Sequence, residues 1–479
     1  MTELHYLDAT SALTLFRSRE LSPVELLESL IYRTEAVNGS INALTETLFE
    51  EARLEARRAA TAYARGRDLT PLLGLPVAAK EKHGLKGRTL SQGLMAKKSD
   101  IARHDHPVIE RIRRAGGIVH ARTTTPEFSC ATITHSPLWG VTRNPWNQRY
   151  SPGGSSGGAG AALAAGLTPL ATASDIAGST RLPASFTGTV GFKAPYGRIP
   201  GLAPLSADHY RGDGPMARTV ADTALLANVM AGRHPGDHTS LVDAPALSWG
   251  SASVAGMRIA LCIRLGNYPV APDIEANTRR VASALRGAGA VVEEIELPWT
   301  VEEINRTVFT HLGYLLGPAM EDETAGTEEQ LAAYTRRFMA DARRAAERNR
   351  FVDGIRAETL IQTQLADAMV GFDALLCPAS AVPALEADGD YLDGIDAGAR
   401  HLEHYWQGHM TAPFNIANRC PVLAVPSGMA DCGIPSGVQI VGQPFDDATV
   451  FRVGAAVEAL LPWAGRRPEL CLRPPNCPG

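Results

Sequence analysis

Two adjacent serines set among glycines are the most restrictive feature of this 479-residue chain. Residues 151–160 read Ser-Pro-Gly-Gly-Ser-Ser-Gly-Gly-Ala-Gly, and glycines let a backbone take strained conformations and approach a neighbouring group closely. The segment contains the Gly-x-Ser-x-Gly pattern of a nucleophile elbow, but residues 144–150 are not the apolar strand that this elbow follows. The signatures of a phosphate loop and of a dinucleotide-binding turn are absent from it. Two interpretations therefore stay open for the segment alone, a catalytic turn and an ordinary flexible loop.

Helix and strand signals alternate along the rest of the chain. Capping residues and helical spacing predict helices starting after Ser22, over residues 49–65, 107–114 and 273–286, and from Asp446 or Asp447 to Leu461. Residues 302–370 are rich in Glu, Arg and Ala, and we expect them to be mostly helical. Short apolar runs predict strands at residues 118–121, 258–263, 291–297, 372–376, 422–425 and 438–441.

This alternation indicates an α/β fold, a mixed sheet covered by helices. Residues 258–297 have the pattern of one βαβ unit. Because no repeat, linker or low-complexity break marks a boundary, we expect a single domain over residues 1–479. The helical region, taken broadly as residues 302–410, is expected to form a lid or an insertion.

Composition excludes several classes of protein. The chain has 46 basic and 51 acidic residues, a net charge of −5, so it has no basic excess for binding nucleic acid. Its seven cysteines are scattered without a Cys-x-x-Cys pair, which argues for buried small apolar residues rather than a disulfide framework. Residues 1–10 do not resemble a secretory signal, and no stretch of about 18 apolar residues occurs. We therefore expect a cytoplasmic protein that does not enter a membrane.

Two further motifs flank the serine pair. Residues 74–81 read Gly-Leu-Pro-Val-Ala-Ala-Lys-Glu, and residues 175–184 read Asp-Ile-Ala-Gly-Ser-Thr-Arg-Leu-Pro-Ala. Together with the spacing between Ser155 and Ser179, and with the segments 144–146, 188–193, 214–222 and 437–442, they resemble the amidase signature family. The resemblance covers most of the chain and includes some similarity to 6-aminohexanoate-cyclic-dimer hydrolases. It implies a signature core at about residues 70–220 and a large mixed β-sheet covered on both faces by α-helices.

The resemblance also implies a mechanism and a site. In it, Ser179 is the nucleophile, Ser155 relays its proton and Lys80 is the base; the lysine must lose its charge through burial to act so. The chain would hydrolyse an aliphatic, aryl or cyclic carboxylic amide to an acid and ammonia or an amine, through an acyl-enzyme on Ser179. The substrate is a small molecule, no metal or other cofactor is needed, and a homodimer is possible.

Further positions follow from the same resemblance. The oxyanion hole is assigned to backbone amides of the turn at Ile176, Ala177, Gly178 and Ser179. Substrate-binding positions are Ser129, Cys130 and Ser156, of which Ser156 is expected to hydrogen-bond within the site rather than attack. Asp175 and Arg181 should form an ion pair that fixes the turn.

Two positions depart from the common family pattern. Ala177 precedes Gly178 where many members have two glycines, although alanine also occurs in relatives similar to the cyclic-dimer hydrolases. Glu81 replaces the aspartate that usually follows the lysine. The second departure concerns the hydrogen bonds around the base and not its identity.

Three alternatives remain at this stage. The A-type component of glutamyl-tRNA amidotransferase shares the same signature and depends on partner chains. A metallohydrolase would use the histidines at His104 and His106, or those at His401, His404 and His409, of which the first two of the latter set could share a helix face. A catalytically idle scaffold is the third alternative, and the intact lysine and serines argue against it.

Overall fold

Eleven strands form one mixed sheet in the computed structural model of the chain, which describes residues 3–470 except 243, 245, 249, 251 and 252. Four shorter strands form two small antiparallel pairs. The strands are β1 Leu44–Thr47, β2 Pro76–Lys80, β3 Ile118–Thr123, β4 His135–Ser136, β5 Gly140–Val141, β6 Leu170–Asp175, β7 Val190–Lys193, β8 Gly212–Ala217, β9 Arg258–Leu261, β10 Val291–Glu294, β11 Ala374–Pro378, β12 Ile395–Ala397, β13 Arg400–Leu402, β14 Val422–Met429 and β15 Pro435–Gly442.

The sheet is parallel in two places and antiparallel elsewhere. Its order is β1-β3-β2-β6-β8-β7-β14-β15-β11-β9-β10. Strand β2 runs parallel to β3 and β6, and β9 runs parallel to β10 and β11. The pairs between β6 and β15 are antiparallel. The expected mixed sheet is confirmed, and so is the βαβ unit at residues 258–297, because β9 and β10 are parallel.

Helices lie between most of these strands. They are α1 Ala9–Ser18, α2 Pro23–Ile41, α3 Phe49–Arg65, α4 Pro107–Arg114, α5 Gly157–Ala164, α6 Arg181–Thr187, α7 Val220–Met230, α8 Pro272–Gly287, α9 Val301–Tyr314, α10 Leu316–Thr324, α11 Ala333–Arg348, α12 Phe351–Ala368, α13 Pro413–Ile416 and α14 Asp447–Leu460. The Ser22 capping box starts α2, and Asp446 caps α14. The predicted helices are therefore confirmed to within a few residues.

Two groups of helices pack on the same strands. Helices α5 and α6 contact each other, and α5 packs on β2, β6 and β8 while α6 packs on β7, β14 and β15. Helices α7 and α14 also contact each other; α7 packs on β8, and α14 packs on β14 and β15. The helices thus cover both faces of the sheet, as expected.

The described cysteines are buried or partly buried free thiols, as their scattered positions predict. Of the described cysteines, Cys130, Cys262, Cys377 and Cys420 are buried free thiols, and Cys432 is a partly buried one. Cys471 and Cys477 lie outside the described residues. Within the described part of the chain, no helix is both long enough and apolar enough to cross a membrane.

The ends of three central strands converge at one edge of the sheet. The parallel strands β2 and β6 end there with Lys80 and Asp175, and the antiparallel strand β8 starts there with Gly212 and Asp213. Helix α5 starts just after the serine pair, and α6 starts two residues after Ser179. The fold therefore brings the three signature segments to one place.

A buried histidine ties the helical region to the loop that leads into β8. His311 of α9 is hydrogen-bonded through Nε2 to Asp208 Oδ1 at 2.7 Å and through Nδ1 to Glu358 Oε1 of α12 at 3.1 Å. Its ring stacks on Tyr210 with 3.7 Å between ring centroids. Burial alone would lower the pKa of His311, but the two carboxylates raise it to about 9. The imidazolium therefore links two helices to the loop.

We predict that His311→Gln lowers the free energy of unfolding by about 3 kcal/mol at pH 7, because the buried carboxylates of Asp208 and Glu358 lose the cation that bridges them. The contribution of His311 is complete below the unfolded-state pKa of 6.5 and is lost as the pH rises through about 9. The difference in the free energy of unfolding between the wild type and the variant should therefore be smaller at pH 10 than at pH 7. Urea denaturation at both pH values measures it.

The matched control is His401→Gln, because His401 is exposed and pairs with an exposed carboxylate, that of Asp396. This variant should unfold like the wild type. An equal deficit of the His311 variant at both pH values would contradict a role for the imidazolium charge.

Candidate active site

Lys80 is the centre of the site. It is the last residue of β2, its exposed fraction is 0%, and its Nζ lies 2.7 Å from Ser155 Oγ, 3.0 Å from Ser156 Oγ and 2.9 Å from Ser174 Oγ. Among the described residues, no carboxylate forms an ion pair with this nitrogen. Three hydroxyl groups thus surround a buried amine.

The three hydroxyls can accept hydrogen bonds from an ammonium at Lys80, and they also accommodate a neutral amine. An uncharged amine has two N–H donors and one lone pair. The Ser156 hydroxyl donates to the Ser174 carbonyl at 3.3 Å, so it can only accept from Lys80. With Ser174 Oγ as the second acceptor, the lone pair is left for the Ser155 hydroxyl proton. The geometry therefore accommodates Ser155 as a donor to Lys80.

The electrostatics favour the same protonation state. Burial lowers the pKa of Lys80 well below its ordinary value, and the nearby charge of Lys82 lowers it further. The carboxylates of Asp213 and Asp175 act in the opposite direction but do not offset burial. Burial therefore favours the neutral form of Lys80 over the ammonium.

The serine pair sits where the backbone is closely packed. The Gly154–Ser155 peptide bond is cis, and Gly153 has a φ of 82°. A Cβ added at Gly154 would lie 2.4 Å from the carbonyl oxygen of Ile133, so only glycine fits there. The Ser156 amide donates to the carbonyl of Ser179 at 3.1 Å. This bond connects the serine pair directly to the other signature serine.

The predicted ion pair between Asp175 and Arg181 is present and buried. Arg181 Nε and Nη2 donate to the two carboxylate oxygens at 3.0 and 2.9 Å. The same carboxylate accepts from Asn415 Nδ2 at 2.9 Å and from the amide of Thr180 at 3.2 Å. Burial raises the pKa of Asp175, but its interactions with Arg181 and Asn415 outweigh burial and leave it lowered. The carboxylate is thus a charged anchor for the turn.

Backbone amides of this turn differ in whether they are free. The amide of Gly178 donates to Asp175 Oδ1 at 2.7 Å, so it is not available to a ligand, in contrast to the expectation from sequence. The amides of Ile176, Ala177 and Ser179 have no acceptor within the described residues. The carboxylate that fixes the turn therefore consumes one of its donors.

Gly178 is required for a second reason. Its φ is 126°, and a Cβ there would lie 1.9 Å from Thr411 Oγ1. The Thr411 hydroxyl donates to the Ala177 carbonyl at 2.6 Å, and its own carbonyl accepts from Arg181 at 2.8 Å. The turn is thus closed by a residue far along the chain.

The predicted substrate-binding residues lie in different environments. Ser129 is partly exposed, has a φ of 59°, and its hydroxyl lies 3.0 Å from that of Thr125. Cys130 has an exposed fraction of 0% and packs in the main apolar core beside Thr335 of α11. Ser156 bonds within the site, as expected.

Glu81 turns away from the amine. Its Oε1 accepts from the amide of Ser91 at 2.6 Å and from the Ser91 hydroxyl at 2.9 Å. The carbonyl oxygen of Glu81 accepts from the guanidinium of Arg122. The side chain of Glu81 thus supports the loop after β2 and makes no hydrogen bond with Lys80 within the described residues.

The histidines at residues 401–409 do not gather into a metal site. His401 is exposed and lies in β13, and His404 caps the short 3₁₀ helix Tyr405–Gly408. The two histidines therefore do not share a helix face, and that interpretation of their spacing is wrong. His409 contacts Thr132 and Ser380. Of these histidines, none belongs to a metal-sized group within the described residues.

His106 does join a compact buried group, with His83 and Asp213. His106 Nδ1 accepts from the amide of Val108 at 3.3 Å, which places the ring proton on Nε2, 3.5 Å from Asp213 Oδ2. A protonated nitrogen cannot ligate a metal, and the ammonium of Lys82 lies 3.8 Å from Asp213 Oδ1. These partners suit a hydrogen-bonded carboxylate better than a metal. No motif marks His83 or Asp213, so neither was predicted from the sequence.

Comparison with known proteins agrees with this geometry. Residues 25–451 match the family model named Amidase. The chain is 34% identical to an acylamidase of Rhodococcus erythropolis, covering 98% of each chain, and 32% identical to the A-type component of the glutamyl-tRNA(Gln) amidotransferase of Chloroflexus aggregans, covering 98% of this chain and 99% of the other. The structure of a 6-aminohexanoate cyclic dimer hydrolase complexed with substrate superposes with a TM-score of 0.83 at 29% identity, covering 97% and 99%. This chain therefore belongs to the amidase signature family and, as its motifs predict, is an amidase.

Proposed function

We propose that the chain is a free-standing hydrolase of small carboxylic amides, with Ser179 as nucleophile, Ser155 as proton relay and Lys80 as base. The observation that carries the proposal is the buried amine of Lys80, 2.7 Å from Ser155 Oγ and without a carboxylate partner among the described residues. A serine hydroxyl attacks a carbonyl only when a base removes its proton. A lysine kept neutral by burial is such a base.

The first half-reaction of the proposed mechanism acylates Ser179. Ser179 Oγ attacks the amide carbon, its proton passes to Ser155 Oγ, and the Ser155 proton passes to the Lys80 amine. The tetrahedral oxyanion faces the amides of Ile176, Ala177 and Ser179, the free donors of the turn. As the C–N bond breaks, the proton returns by the same route to the leaving nitrogen. Ammonia or an amine departs, and the acyl group remains on Ser179.

Hydrolysis of the acyl-enzyme repeats the sequence with water. Ser155 accepts a proton from the attacking water and Lys80 accepts the proton of Ser155, so that hydroxide adds to the ester carbon. Collapse of the second oxyanion breaks the bond to Ser179 Oγ, which takes the proton back. The products are a carboxylic acid and the regenerated serine. No step requires a metal or another cofactor.

A partner-dependent component of an amidotransferase is a second candidate, favoured by the 32% identity to such a component over 98% of the chain. A chain of this kind would release ammonia from glutamine for a partner chain. The net charge of −5 supplies no excess of basic residues for tRNA, so RNA binding would come from the partner. Activity of the chain by itself separates the two candidates.

The first prediction concerns turnover by the purified chain alone. We expect release of amine or ammonia from at least one of 4-nitroacetanilide, propionamide and the cyclic dimer of 6-aminohexanoate, and none from glutamine. Ser179→Ala should lower the rate by at least about 10⁴-fold because the nucleophile is lost. Equal rates in both proteins would remove Ser179 as nucleophile, and glutamine as the sole substrate would favour the amidotransferase component.

The second prediction concerns pH. Because Lys80 must be neutral to accept a proton, kcat should rise from pH 6 to a plateau at about pH 8 to 9. Burial lowers the pKa of Lys80, which places the midpoint of the rise well below the ordinary lysine value of 10.5. Pre-steady-state acylation rates isolate the chemical step. A flat acylation rate across this range would count against a lysine base.

The third prediction concerns metals. Treatment with EDTA or 1,10-phenanthroline should leave the rate unchanged, since the proposed steps use only serine, lysine and backbone amides. A zinc-dependent amidase treated in parallel serves as the positive control. Loss of activity that zinc restores would revive the metallohydrolase alternative.

A further inference from the structure

The buried carboxylate of Asp213 lies on strand β8, which is separated from the strand of Lys80 by β6 alone. Asp213 of β8 is directly opposite Ser174 of β6 in the antiparallel ladder. Side chains of directly opposed residues lie on the same face, with Cβ atoms about 5 Å apart. Because Ser174 Oγ is 2.9 Å from Lys80 Nζ, Asp213 and the amine share one face and one edge of the sheet.

Two histidines hold this carboxylate in place. His83 Nε2 lies 2.9 Å from Asp213 Oδ1, and His83 Nδ1 lies 2.8 Å from Thr172 Oγ1, which accepts the backbone amide of Lys80 at 2.9 Å. With its hydroxyl donated to Nδ1, Thr172 fixes the His83 proton on Nε2. The second histidine, His106, places its Nε2 3.5 Å from Asp213 Oδ2. Burial raises the pKa of Asp213, but His83 and Lys82 outweigh burial and leave it lowered, so the carboxylate is charged.

Lys82 places a positive charge next to the same carboxylate. Its Nζ lies 3.8 Å from Asp213 Oδ1 and makes no hydrogen bond within the described residues. It lines a cavity of about 230 Å³ together with Gln92 and Arg211. Burial lowers the pKa of Lys82 to about 8, so it is charged on the acid side of that pH.

We propose that Lys82 and Asp213 are opposed positioning charges that set the protonation equilibrium of Lys80, with Asp213 favouring the ammonium and Lys82 favouring the free amine. The inference rests on the proposed role of Lys80 as base. Neither residue touches the reacting atoms, and each acts only through the field at Lys80.

Other charges face Lys80 but are compensated elsewhere. Asp175 is neutralised by the buried guanidinium of Arg181, and Arg211 pairs with Asp208 at 3.4 Å. His83 and His106 are neutral, because burial lowers the pKa of each. At this edge of the sheet, the charge of Asp213 thus stabilises the ammonium form of Lys80 and the charge of Lys82 destabilises it.

The two charges make opposite predictions. In Lys82→Met the repulsion is removed, so the acid limb of the rate profile should move to higher pH by about one pH unit. In Asp213→Asn the attraction is removed, so the limb should move to lower pH by a similar amount. The double variant should return toward the wild-type limb. Lys82→Arg keeps the charge and should also retain the wild-type limb.

The readout is the labelling rate of Ser179 by a fluorescent alkyl fluorophosphonate between pH 5 and 9, which needs no knowledge of the natural amide. Below the limb, Lys82→Met should be labelled about tenfold more slowly than the wild type. Exposed Lys98→Met serves as the control for removing a lysine charge. Circular dichroism and thermal unfolding verify that each variant is folded.

Opposite shifts in the two single variants support the proposal. The proposal is overturned if the acid limb of the rate profile stays at the same pH in both single variants, or moves in the same direction in both. A general disturbance of the structure would not shift the two limbs in opposite directions. If Asp213→Asn does not fold, Lys82→Met against Lys82→Arg decides the question. Failure of the proposed function is distinguishable, since it would appear as labelling that persists in Ser179→Ala or that does not depend on Lys80.

Discussion

The site depends on an amine that is kept out of water without a bound carboxylate. Burial without a paired carboxylate favours the neutral form of a lysine, and three serine hydroxyls surround the amine of Lys80 in place of water. Strand β2 delivers Lys80 to this place, and the neighbouring strand β6 delivers Ser174 beside it. The glycines around Ser155 allow the backbone to come close enough for the contact. Each of these features would be unfavourable alone and is useful only in combination.

Rigidity at the site comes from buried charge rather than from apolar packing alone. Arg181 donates to Asp175, to the Thr411 carbonyl and to the side chains of Asn415 and Gln439, so one guanidinium joins β6, α6, α13 and β15. A buried pair is costly to form, but its geometry is well defined once its hydrogen bonds are satisfied. The carboxylate of Asp175 also accepts a hydrogen bond from the Gly178 amide. The neighbouring amides of the turn have no acceptor among the described residues.

Elements with local sequence signals were predicted correctly, whereas contacts that depend on strand pairing were not. Helices with strong caps, such as the one after Ser22, and the βαβ unit at residues 258–297 were predictable because their signals are local. Strands β6, β7 and β8 lack such signals, because small or polar residues such as Ala, Gly, Ser, Asp and Lys interrupt the apolar run in each of them. The site motifs identified the lysine and the serines through resemblance. Lys82, His83 and Asp213 could not be found, because only strand pairing brings them together. The Gly178 amide was expected to be free for the substrate, because no sequence signal shows that the carboxylate of Asp175, three residues earlier, accepts its hydrogen bond.

The closure of the Gly178 turn by Thr411 has a consequence for the order in which the protein matures. Lys80, Ser155 and Ser179 are all synthesised within the first two fifths of the chain, but Thr411, Asn415 and Gln439 follow more than two hundred residues later. Domains are completed as the chain leaves the ribosome, N-terminal part first. A nascent or truncated chain that ends before Thr411 therefore carries Lys80, Ser155 and Ser179 while the turn still lacks its contact with Thr411. The turn that carries Ser179 can therefore take its final form only after the segments with Thr411, Asn415 and Gln439 have been added.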